Sequence, residues 1–190
     1  MDKVNNQVNK AELRRTILQK RKSLSVEESR EKCDRICTHL QSSLLFTPAQ
    51  TILAYFSFRQ EPDLSQLVDD KRRWGFPRCV GNSMNWHIWK PGEPLTKGNY
   101  GICEPHPDLP ILNANEVDLI LVPSVACDGR GYRLGYGGGY YDRLLSSPEW
   151  ASKPTIGIVF EFAYLPQLPI QEWDIQLNGV CTEMGLRMRR

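Results

Sequence analysis

A glycine-rich segment between an apolar run and a helical pattern is the feature that most constrains this chain. The segment from Val117 to Leu145 has the sequence VDLILVPSVACDGRGYRLGYGGGYYDRLL, and five of the chain's 14 glycines lie between Gly131 and Gly139. Its apolar start is typical of a central parallel strand. Because glycine lets backbone amides approach a ligand without an intervening Cβ, a strand, this loop and a helix in that order predict an anion site, with phosphate as the expected anion.

The loop differs from two well-known phosphate-binding motifs. No G-x-x-x-x-G-K-[ST] occurs, and Tyr140 stands where the dinucleotide fingerprint begun by Gly135 and Gly137 requires its last glycine. A glycine-rich turn by itself is as compatible with a tight structural turn as with a ligand site. Two neighbours favour a ligand: Arg133 offers a planar fork for phosphate, and Asp142 can cap the helix or reach a Mg²⁺ that bridges phosphates. Three tyrosines add flat faces for an aromatic ligand: Tyr136, Tyr140 and Tyr141.

Apolar periodicity elsewhere predicts alternating helices and strands. We expect helices over about 9–21, over 64–73 and over 138–145. A further helix is expected to begin at the capping box formed by Ser25 and Glu28. Strands are expected over 51–57, 76–80, 84–90, 117–122, 155–160 and 177–182. The alternation favours a single α/β domain over residues 1–190, built as a three-layer α/β/α sandwich with a largely parallel central sheet. The basic end from Arg187 to Arg190 is interpreted as frayed and solvated.

Composition argues against several classes of partner. The formal net charge is only +2 and no long basic run precedes Arg187, so we expect no nucleic-acid partner. No stretch approaches the ~20 apolar residues of a membrane helix, so no membrane partner is expected. The polar start from Met1 to Lys10 lacks the apolar core of a secretory signal. The cysteines form no C-x-x-C pair, which argues against a structural zinc site, and Cys33 and Cys37, four apart in a helical pattern, are interpreted as reduced core residues. We expect a cytoplasmic monomer.

The segment RLGYGGGYYDRLL, preceded by an apolar strand and VPSVACD, resembles the signature of the 5-formyltetrahydrofolate cyclo-ligases. The similarity extends along the chain in the family's order, from KAELRRTILQKR through AYFSFRQEPDLSQLV and YGICEP to TIGIVF and WDIQLNGVCTE. The resemblance implies an enzyme that uses ATP and Mg²⁺ to convert 5-formyltetrahydrofolate into 5,10-methenyltetrahydrofolate, with release of ADP and phosphate. A non-catalytic folate- or nucleotide-binding relative on the same scaffold is the alternative.

The resemblance assigns the nucleotide to two segments. Lys10 and Arg14 match the family's N-terminal ATP-binding cations, and their spacing places both on one helical face. Without the resemblance, a solvated basic face would be the favoured interpretation. The other ATP-binding positions are contiguous: Arg133, Leu134, Gly135, Tyr136, Gly137, Gly138, Gly139, Tyr140 and Tyr141. The resemblance also implies that Arg133 and Tyr140 act in the reaction itself.

The resemblance places the folate beside this loop. Phe56 and Glu61 match positions that touch the pterin-bearing substrate, although Phe56 alone would be interpreted as a core strand residue and Glu61 as an exposed loop carboxylate. Five further positions are shared between folate and ATP: Tyr136, Gly137, Gly138, Gly139 and Tyr140. Asp142 and Asp174 match Mg²⁺ positions, and Asp174 remains open to the alternative role of a turn residue.

Three residues depart from the family's pattern. Cys127 stands where Phe is common, Ala163 lies near a usual Gln, and Trp173 occupies a position where His is usual. These departures concern the folate contacts and leave the implied reaction unchanged. That reaction is phosphorylation of the formyl oxygen by ATP, followed by attack of N10 of the same folate and loss of phosphate, with no side chain acting as a covalent nucleophile.

Overall fold

Three α-helices are present in residues 9–189, the part of the chain that this computed structural model describes. Helix α1 spans Lys10–Lys22, α2 spans Val26–Gln41 and α3 spans Tyr140–Ser146. The predicted capping box is confirmed at the start of α2, because the side chains of Ser25 and Glu28 each accept a hydrogen bond from the other's backbone N–H. None of the helices in this part of the chain is long and apolar enough to cross a membrane.

Thirteen short strands accompany these helices in the described part of the chain. They are β1 (Thr51–Leu53), β2 (Arg73–Val80), β3 (Ser83–Ile88), β4 (Leu95–Lys97), β5 (Cys103–Pro105), β6 (Ile111–Leu112), β7 (Leu119–Pro123), β8 (Ala126–Asp128), β9 (Arg133–Leu134), β10 (Thr155–Ile158), β11 (Tyr164–Leu165), β12 (Gly179–Thr182) and β13 (Gly185–Met188). Eight of them form the central sheet in the order β13-β12-β10-β7-β1-β2-β3-β6. The five strands from β12 to β2 run parallel, and the outer strands pair antiparallel.

The alternation of side chains along β7 explains the layers. Leu119 and Leu121 belong to the core that α2 covers, whereas Ile120 and Val122 pack with Leu145 of α3 on the other face. Each of these strand residues is fully buried, as expected for a central parallel strand covered on both sides. The predicted mixed α/β class with a largely parallel sheet is therefore confirmed.

The chain after β7 brings the glycine-rich loop to one end of the sheet. Strands β8 and β9 form an antiparallel hairpin that joins β11 in a separate three-stranded sheet. Residues 135–139 leave β9 and lead into α3. Loops that follow the carboxyl ends of parallel strands are the usual position for ligands in this class of fold.

The prediction of a helix over 64–73 is wrong. The structure has only a 3₁₀ turn over Ser65–Leu67, and β2 already begins at Arg73. Asp69 explains the difference, because its carboxylate accepts hydrogen bonds from the backbone N–H groups of Lys71 and Arg72. A side chain that satisfies nearby backbone donors in this way stabilises a turn at the expense of a helix.

The interpretation of the basic end as frayed is also wrong, although Met188 and Arg189 are exposed to solvent. Strand β13 pairs with β12 along its whole length. Arg187 donates to both carboxylate oxygens of Glu161, at 2.8 and 2.9 Å, and lies 4.6 Å above the ring of Tyr164. Arg190 lies outside the described residues. So do residues 1–8, which contain most of the segment interpreted as lacking a secretory signal.

The remaining predicted elements are present with shifted ends. The strand expected over 51–57 ends at Leu53, although the N–H of Ala54 still donates to the carbonyl oxygen of Gly75. Helix α3 starts two residues later than expected, because Gly139 adopts a left-handed conformation before it. Residues 95–105 form the hairpin of β4 and β5.

Candidate active site around the glycine-rich loop

The glycine-rich loop, residues 135–139, is exposed over its central residues. Gly137 has φ +107°, and no atom lies within 4 Å of a Cβ built there, so the position needs glycine's freedom and faces open space. Gly139 has φ +67°. Gly138 lacks a positive φ of this kind, but a Cβ on it would lie 3.0 Å from the ring of Tyr140. The loop therefore presents backbone groups that side chains do not cover.

Two basic side chains of α1 contact the protein beside this loop. The Nζ atom of Lys10 lies 2.6 Å from a carboxylate oxygen of Asp174. The Nε atom of Arg14 donates to the carbonyl oxygen of Gly135 at 2.6 Å. Both side chains face the protein, as their four-residue spacing predicts. The alternative of a solvated basic face is wrong for these two residues.

The two aspartates expected at Mg²⁺ positions each pair with a cation. Asp142 Oδ1 accepts from Arg133 at 2.7 Å, and Asp174 Oδ2 accepts from Lys10 and from the backbone N–H of Gln171. Asp174 thus accepts a backbone hydrogen bond within its own turn, as a turn residue does, and also forms an ion pair with Lys10. Each carboxylate keeps its second oxygen outside these bonds. Within residues 9–189, no group of three or more His, Cys, Asp or Glu side chains is placed to bind a metal ion.

Glu61 is buried, so the alternative of an exposed loop carboxylate is wrong. Only 5% of the residue is exposed, and its Oε2 atom accepts from the backbone N–H of Phe58 at 3.1 Å. Arg59 and Gln60, which lie between Phe58 and Glu61 in the sequence, have φ of +48° and +57°. Two consecutive non-glycine residues in this region are uncommon. This tight turn directs the Glu61 carboxylate back into the protein.

Arg21 is a third basic residue of α1 at this site, and it was not among the predicted residues. Its side chain is fully buried. The guanidinium donates to the Tyr136 hydroxyl at 2.8 Å and to the carbonyl oxygen of Ser124 at 2.8 Å. A signal was available, since Arg21 follows Arg14 by seven residues and therefore shares a helical face with it.

Burial dominates the electrostatics of Glu61. It raises the pKa of this carboxyl from 4.5 to about 7, because desolvation disfavours the charged form. The positive charge of Arg21 is the largest opposing effect, followed by the Phe58 N–H and the Tyr136 hydroxyl. Burial likewise raises the pKa of Tyr136, with the Glu61 charge as the next cause. Glu61, Arg21 and Tyr136 are therefore electrostatically coupled.

Phe56 lies at the border between the core and the site. Its ring stacks on that of Phe76 with centroids 4.3 Å apart, and Trp89 contacts it edge-on at 5.0 Å. The residue is only partly buried. The interpretation of Phe56 as a core residue is correct for one side of its ring, and the accessible part leaves room for a ligand contact.

Tyr140 connects the loop to two hairpins. Its hydroxyl donates to the carbonyl oxygen of Gly81 at 3.0 Å and lies 3.2 Å from the hydroxyl of Tyr100. Arg143 lies 5.0 Å from the Tyr140 ring and donates to the carbonyl oxygens of Asn82 and Gly138. Neither Tyr100 nor Arg143 was predicted. An aromatic residue in the turn GNYG was the available signal for Tyr100.

Several buried polar atoms around the loop have no hydrogen-bond partner among residues 9–189. They are Arg21 Nε, Ser124 Oγ, Arg133 Nε and the Tyr141 hydroxyl. Arg133 also lies 5.4 Å from the centre of the Tyr141 ring. Unpaired buried polar groups are uncommon and require an explanation. Their concentration here marks this region as a place where water or a ligand completes the hydrogen bonding.

An open cavity of about 680 Å³ lies elsewhere, around the tip of the β8–β9 hairpin. Arg130 and Arg187 line it, but each already pairs with a carboxylate, those of Asp128 and Glu161. None of the predicted site residues lines this cavity. Size alone therefore does not identify the functional site.

The three departures from the family's pattern have different surroundings. Cys127 is fully buried and Ala163 is 1% exposed, both within the core cluster beneath the β8–β9 region. Trp173 is 63% exposed, next to Asp174. Cys127 and Ala163 therefore act through packing in this structure, whereas Trp173 is accessible from solution.

Comparisons with known proteins show which family the chain belongs to. A sequence model of the 5-formyltetrahydrofolate cyclo-ligase family matches residues 6–183. The 5-formyltetrahydrofolate cyclo-ligase of Escherichia coli (strain K12) is 30% identical over 177 residues, covering 87% of this chain and 96% of the relative. The 5,10-methenyltetrahydrofolate synthetase of Aquifex aeolicus superposes with a TM-score of 0.84 at 34% identity, covering 95% of this chain and 93% of that one. A second such synthetase, from Mycoplasma pneumoniae, gives a TM-score of 0.73 at 25% identity, covering 92% and 99%. The chain belongs to the 5-formyltetrahydrofolate cyclo-ligase family.

Proposed function

We propose that this chain catalyses the ATP-dependent conversion of 5-formyltetrahydrofolate into 5,10-methenyltetrahydrofolate, with release of ADP and phosphate. The observation that carries the proposal is the meeting of three elements at one glycine-rich loop. Helix α1 supplies basic side chains, the turn before Glu61 supplies a buried carboxylate, and α3 supplies tyrosines and Asp142. Family membership and this arrangement together favour an enzyme over a non-catalytic relative.

The nucleotide half of the site is formed by α1 and the loop. Lys10, Arg14 and Arg133 supply positive charge for the phosphates, and charge-assisted bonds of this kind are among the strongest in proteins. The residues from Leu134 to Tyr141 supply backbone groups and ring faces. Lys10 and Arg133 are each paired with an aspartate in this structure, so binding of phosphate exchanges or extends these pairs.

The folate half lies against the tight turn that precedes Glu61. An ionised carboxylate only accepts hydrogen bonds, and the N–H groups of a pterin are matching donors. Phe56 supplies an apolar face, and the half-exposed ring of Tyr136 lies 6.1 Å from that of Phe58. Tyr136 to Tyr140 lie between the two halves and are proposed to contact both ligands.

The reaction suits a site that positions ligands without a covalent nucleophile. The formyl oxygen of the folate attacks the γ-phosphorus of ATP and ADP leaves, giving an iminium phosphate. N10 of the same folate attacks the activated carbon and gives up its proton to water, and phosphate departs as the methenyl cation forms. Arg133 neutralises charge on the phosphoryl group and Tyr140 orients the ligands, while N10 held beside the carbon gives an intramolecular attack its advantage.

Asp142 and Asp174 are proposed to bind Mg²⁺ together with phosphate oxygens. The donor set fits, because Mg²⁺ in such sites takes one or two carboxylates and completes its shell with phosphates and water. Each aspartate has one carboxylate oxygen outside its ion pair. A bound Mg²⁺ would neutralise phosphate charge. We further propose that the chain acts as a single-domain monomer in the cytoplasm, without a nucleic-acid or membrane partner.

A direct assay tests the proposed function. The purified protein is incubated with 5-formyltetrahydrofolate and MgATP, and methenyl absorbance and ADP are followed together. We expect one ADP for each ring closed and no product without ATP. Full activity in EDTA would contradict the Mg²⁺ assignment alone. Binding of both ligands without any product would favour the non-catalytic alternative.

A further inference from the structure

Arg21 is a buried cation whose hydrogen-bond partners are all uncharged. Its side chain is fully buried. It donates to the Tyr136 hydroxyl and to the carbonyl oxygens of Ser124 and Val125, at 2.8, 2.8 and 3.5 Å. Its Nε atom has no partner among the described residues. Burying a charge is costly unless an opposite charge or several hydrogen bonds compensate.

Glu61 is the acidic side chain whose ionised form opposes this charge. It is itself 95% buried, and within its own turn its carboxylate bonds to the Phe58 N–H. The Tyr136 hydroxyl links the two, because it accepts from Arg21 and also influences Glu61. The buried Arg21 guanidinium and the buried Glu61 carboxylate are thus linked electrostatically with the partly exposed Tyr136 between α1 and the loop.

We propose that Arg21 is a positioning residue for the folate, which orients the Tyr136 hydroxyl and favours the carboxylate form of Glu61 that pterin N–H donors require. The inference rests on the proposed function, since it assigns Glu61 to the folate. Arg21 itself need not touch the substrate. It acts through Tyr136 and Glu61.

Among the described residues, Arg21 is the one cation that lowers the pKa of Glu61; the nearby Arg59 guanidinium instead lies over the rings of Phe58 and Tyr136, at 5.0 and 5.7 Å. The titratable or charged groups that influence it or respond to it are Arg21 from α1, Tyr136 from the loop, Tyr55 from the segment after β1, and Tyr141 from α3. The three tyrosines are neutral at neutral pH, and burial raises the pKa of each. Loss of Arg21 should therefore favour protonated Glu61.

A purely structural role for Arg21 makes a different prediction. The bonds to Ser124 and Val125 attach α1 to the segment after β7, so losing them could simply loosen the helix. In that case the affinities for ATP and folate would fall together, since Lys10 and Arg14 lie on the same helix. A positioning role affects the folate more than ATP, because it changes the ionisation of Glu61, which is assigned to the folate alone.

The first test is a carboxyl NMR titration of ¹³C-glutamate-labelled, ligand-free protein. The Glu61 resonance is assigned by its loss in Glu61→Gln. Two variants are titrated: Arg21→Met keeps the length of the side chain without its charge, and Arg21→Lys keeps the charge without the planar guanidinium. We expect the pKa of Glu61 to rise by about one unit or more in Arg21→Met, and by less in Arg21→Lys. Lys22→Met is the matched control, because Lys22 is exposed on the same helix, and it should leave this pKa unchanged.

The second test measures steady-state kinetics on the same proteins. At neutral pH we expect the KM for 5-formyltetrahydrofolate to rise about tenfold in Arg21→Met and the KM for ATP to change by less than about twofold. Arg21→Lys should restore part of the loss. An unchanged Glu61 pKa, or equal losses for both ligands, would overturn the proposal.

The two tests separate failure of this inference from failure of the proposed function. If the parent protein makes no methenyl product, the proposed function is wrong, but the NMR titration still decides whether Arg21 controls Glu61. If Arg21→Met does not fold, the KM values of Arg21→Lys for the two ligands decide whether the proposal holds. A raised folate KM with an unchanged ATP KM in that variant supports the proposal, and unchanged KM values for both ligands contradict it.

Discussion

At the residue scale, the site depends on charges that the fold keeps away from water. Glu61 is almost fully buried, and burial raises its pKa to about 7 against the opposing charge of Arg21. Near neutral pH the carboxyl is thus present in both forms. A ligand that donates hydrogen bonds to it favours the ionised form, so binding and protonation of Glu61 are linked.

We predict that Glu61→Gln affects the folate and spares the nucleotide. The amide keeps the size of the side chain but presents an NH₂ group where the pterin donors need an acceptor. The KM for 5-formyltetrahydrofolate should rise by about tenfold to a hundredfold, with the KM for ATP nearly unchanged. The measurement is initial rates with each ligand varied in turn. The reverse pattern would place Glu61 in the nucleotide half of the site.

The same substitution should weaken folate binding but make the protein more stable, relative to the parent, as pH rises. The native pKa of Glu61, about 7, lies above the ordinary 4.5, so the native state binds more protons than the unfolded state between these values. Stability from this group is present below the lower pKa and is lost as pH rises through the upper one. Glu61→Gln removes this loss, which is at most on the order of 3 kcal/mol above pH 7.

Urea unfolding at about pH 5 and about pH 8 measures this effect. We expect the stability of Glu61→Gln relative to the parent to increase between the two pH values. Other carboxyls titrate equally in both proteins, so the difference isolates Glu61. A difference that stays constant with pH would show that this carboxyl keeps an ordinary pKa in the native protein.

The site residues show what sequence can predict at this scale. The loop was predicted because glycine clustering is visible in one dimension, whereas Lys10 and Arg14 were assigned through the family resemblance, since their spacing alone favoured a solvated basic face. The burial of Glu61 was not predicted, because it depends on the unusual backbone of Arg59 and Gln60. Tyr100 meets Tyr140 across 40 positions, and such a pairing depends on tertiary structure.

At the scale of elements, apolar runs predicted the parallel strands well, because strands buried on both faces need continuous apolar sequence. The failures come from elements that lack such a run. The basic strand β13 is stabilised by pairing with β12 and by the ion pair of Arg187 with Glu161. The helix predicted over 64–73 failed because one aspartate side chain favours a turn.

Two glycines of neighbouring segments should respond differently to alanine. At Gly138 the backbone suits any residue, and a Cβ needs the Tyr140 ring to move by only a few tenths of an ångström. At Gly131 φ is +85° and a Cβ would collide with the carbonyl oxygen of Leu177. We therefore predict that Gly138→Ala lowers kcat/KM by about tenfold or more with little change in Tm, whereas Gly131→Ala lowers Tm.

Thermal unfolding and kinetics on the same preparations test this contrast. Gly131→Ala serves as the structural control, because its collision involves backbone that cannot move aside easily. A stable Gly138→Ala protein with full activity would remove residues 135–139 from the active site. That result would also contradict the proposed function, since the nucleotide and folate halves meet at this loop.

At the scale of the whole molecule, α1 is attached to the body largely through the side chains that the proposed function assigns to the site. Lys10 binds Asp174, Arg14 binds the Gly135 carbonyl oxygen and Arg21 binds Tyr136. These contacts join the start of the described chain to residues more than a hundred positions away. The apolar contribution of α1 is smaller, with Ile17 as its fully packed residue.

A helix attached in this way should become more stable when phosphate is bound. We predict that MgATP slows amide hydrogen exchange in α1 and in residues 135–141 together, by about tenfold or more at saturating ligand. Helix α2 is the internal control, because it packs on the sheet through its own apolar face and has no predicted site residue. In the Arg14→Ala variant, MgATP should no longer slow amide exchange in α1, and exchange in α2 should stay unchanged. Protection confined to the loop would show that nucleotide binds without α1, and Lys10 and Arg14 would then be removed from the nucleotide site.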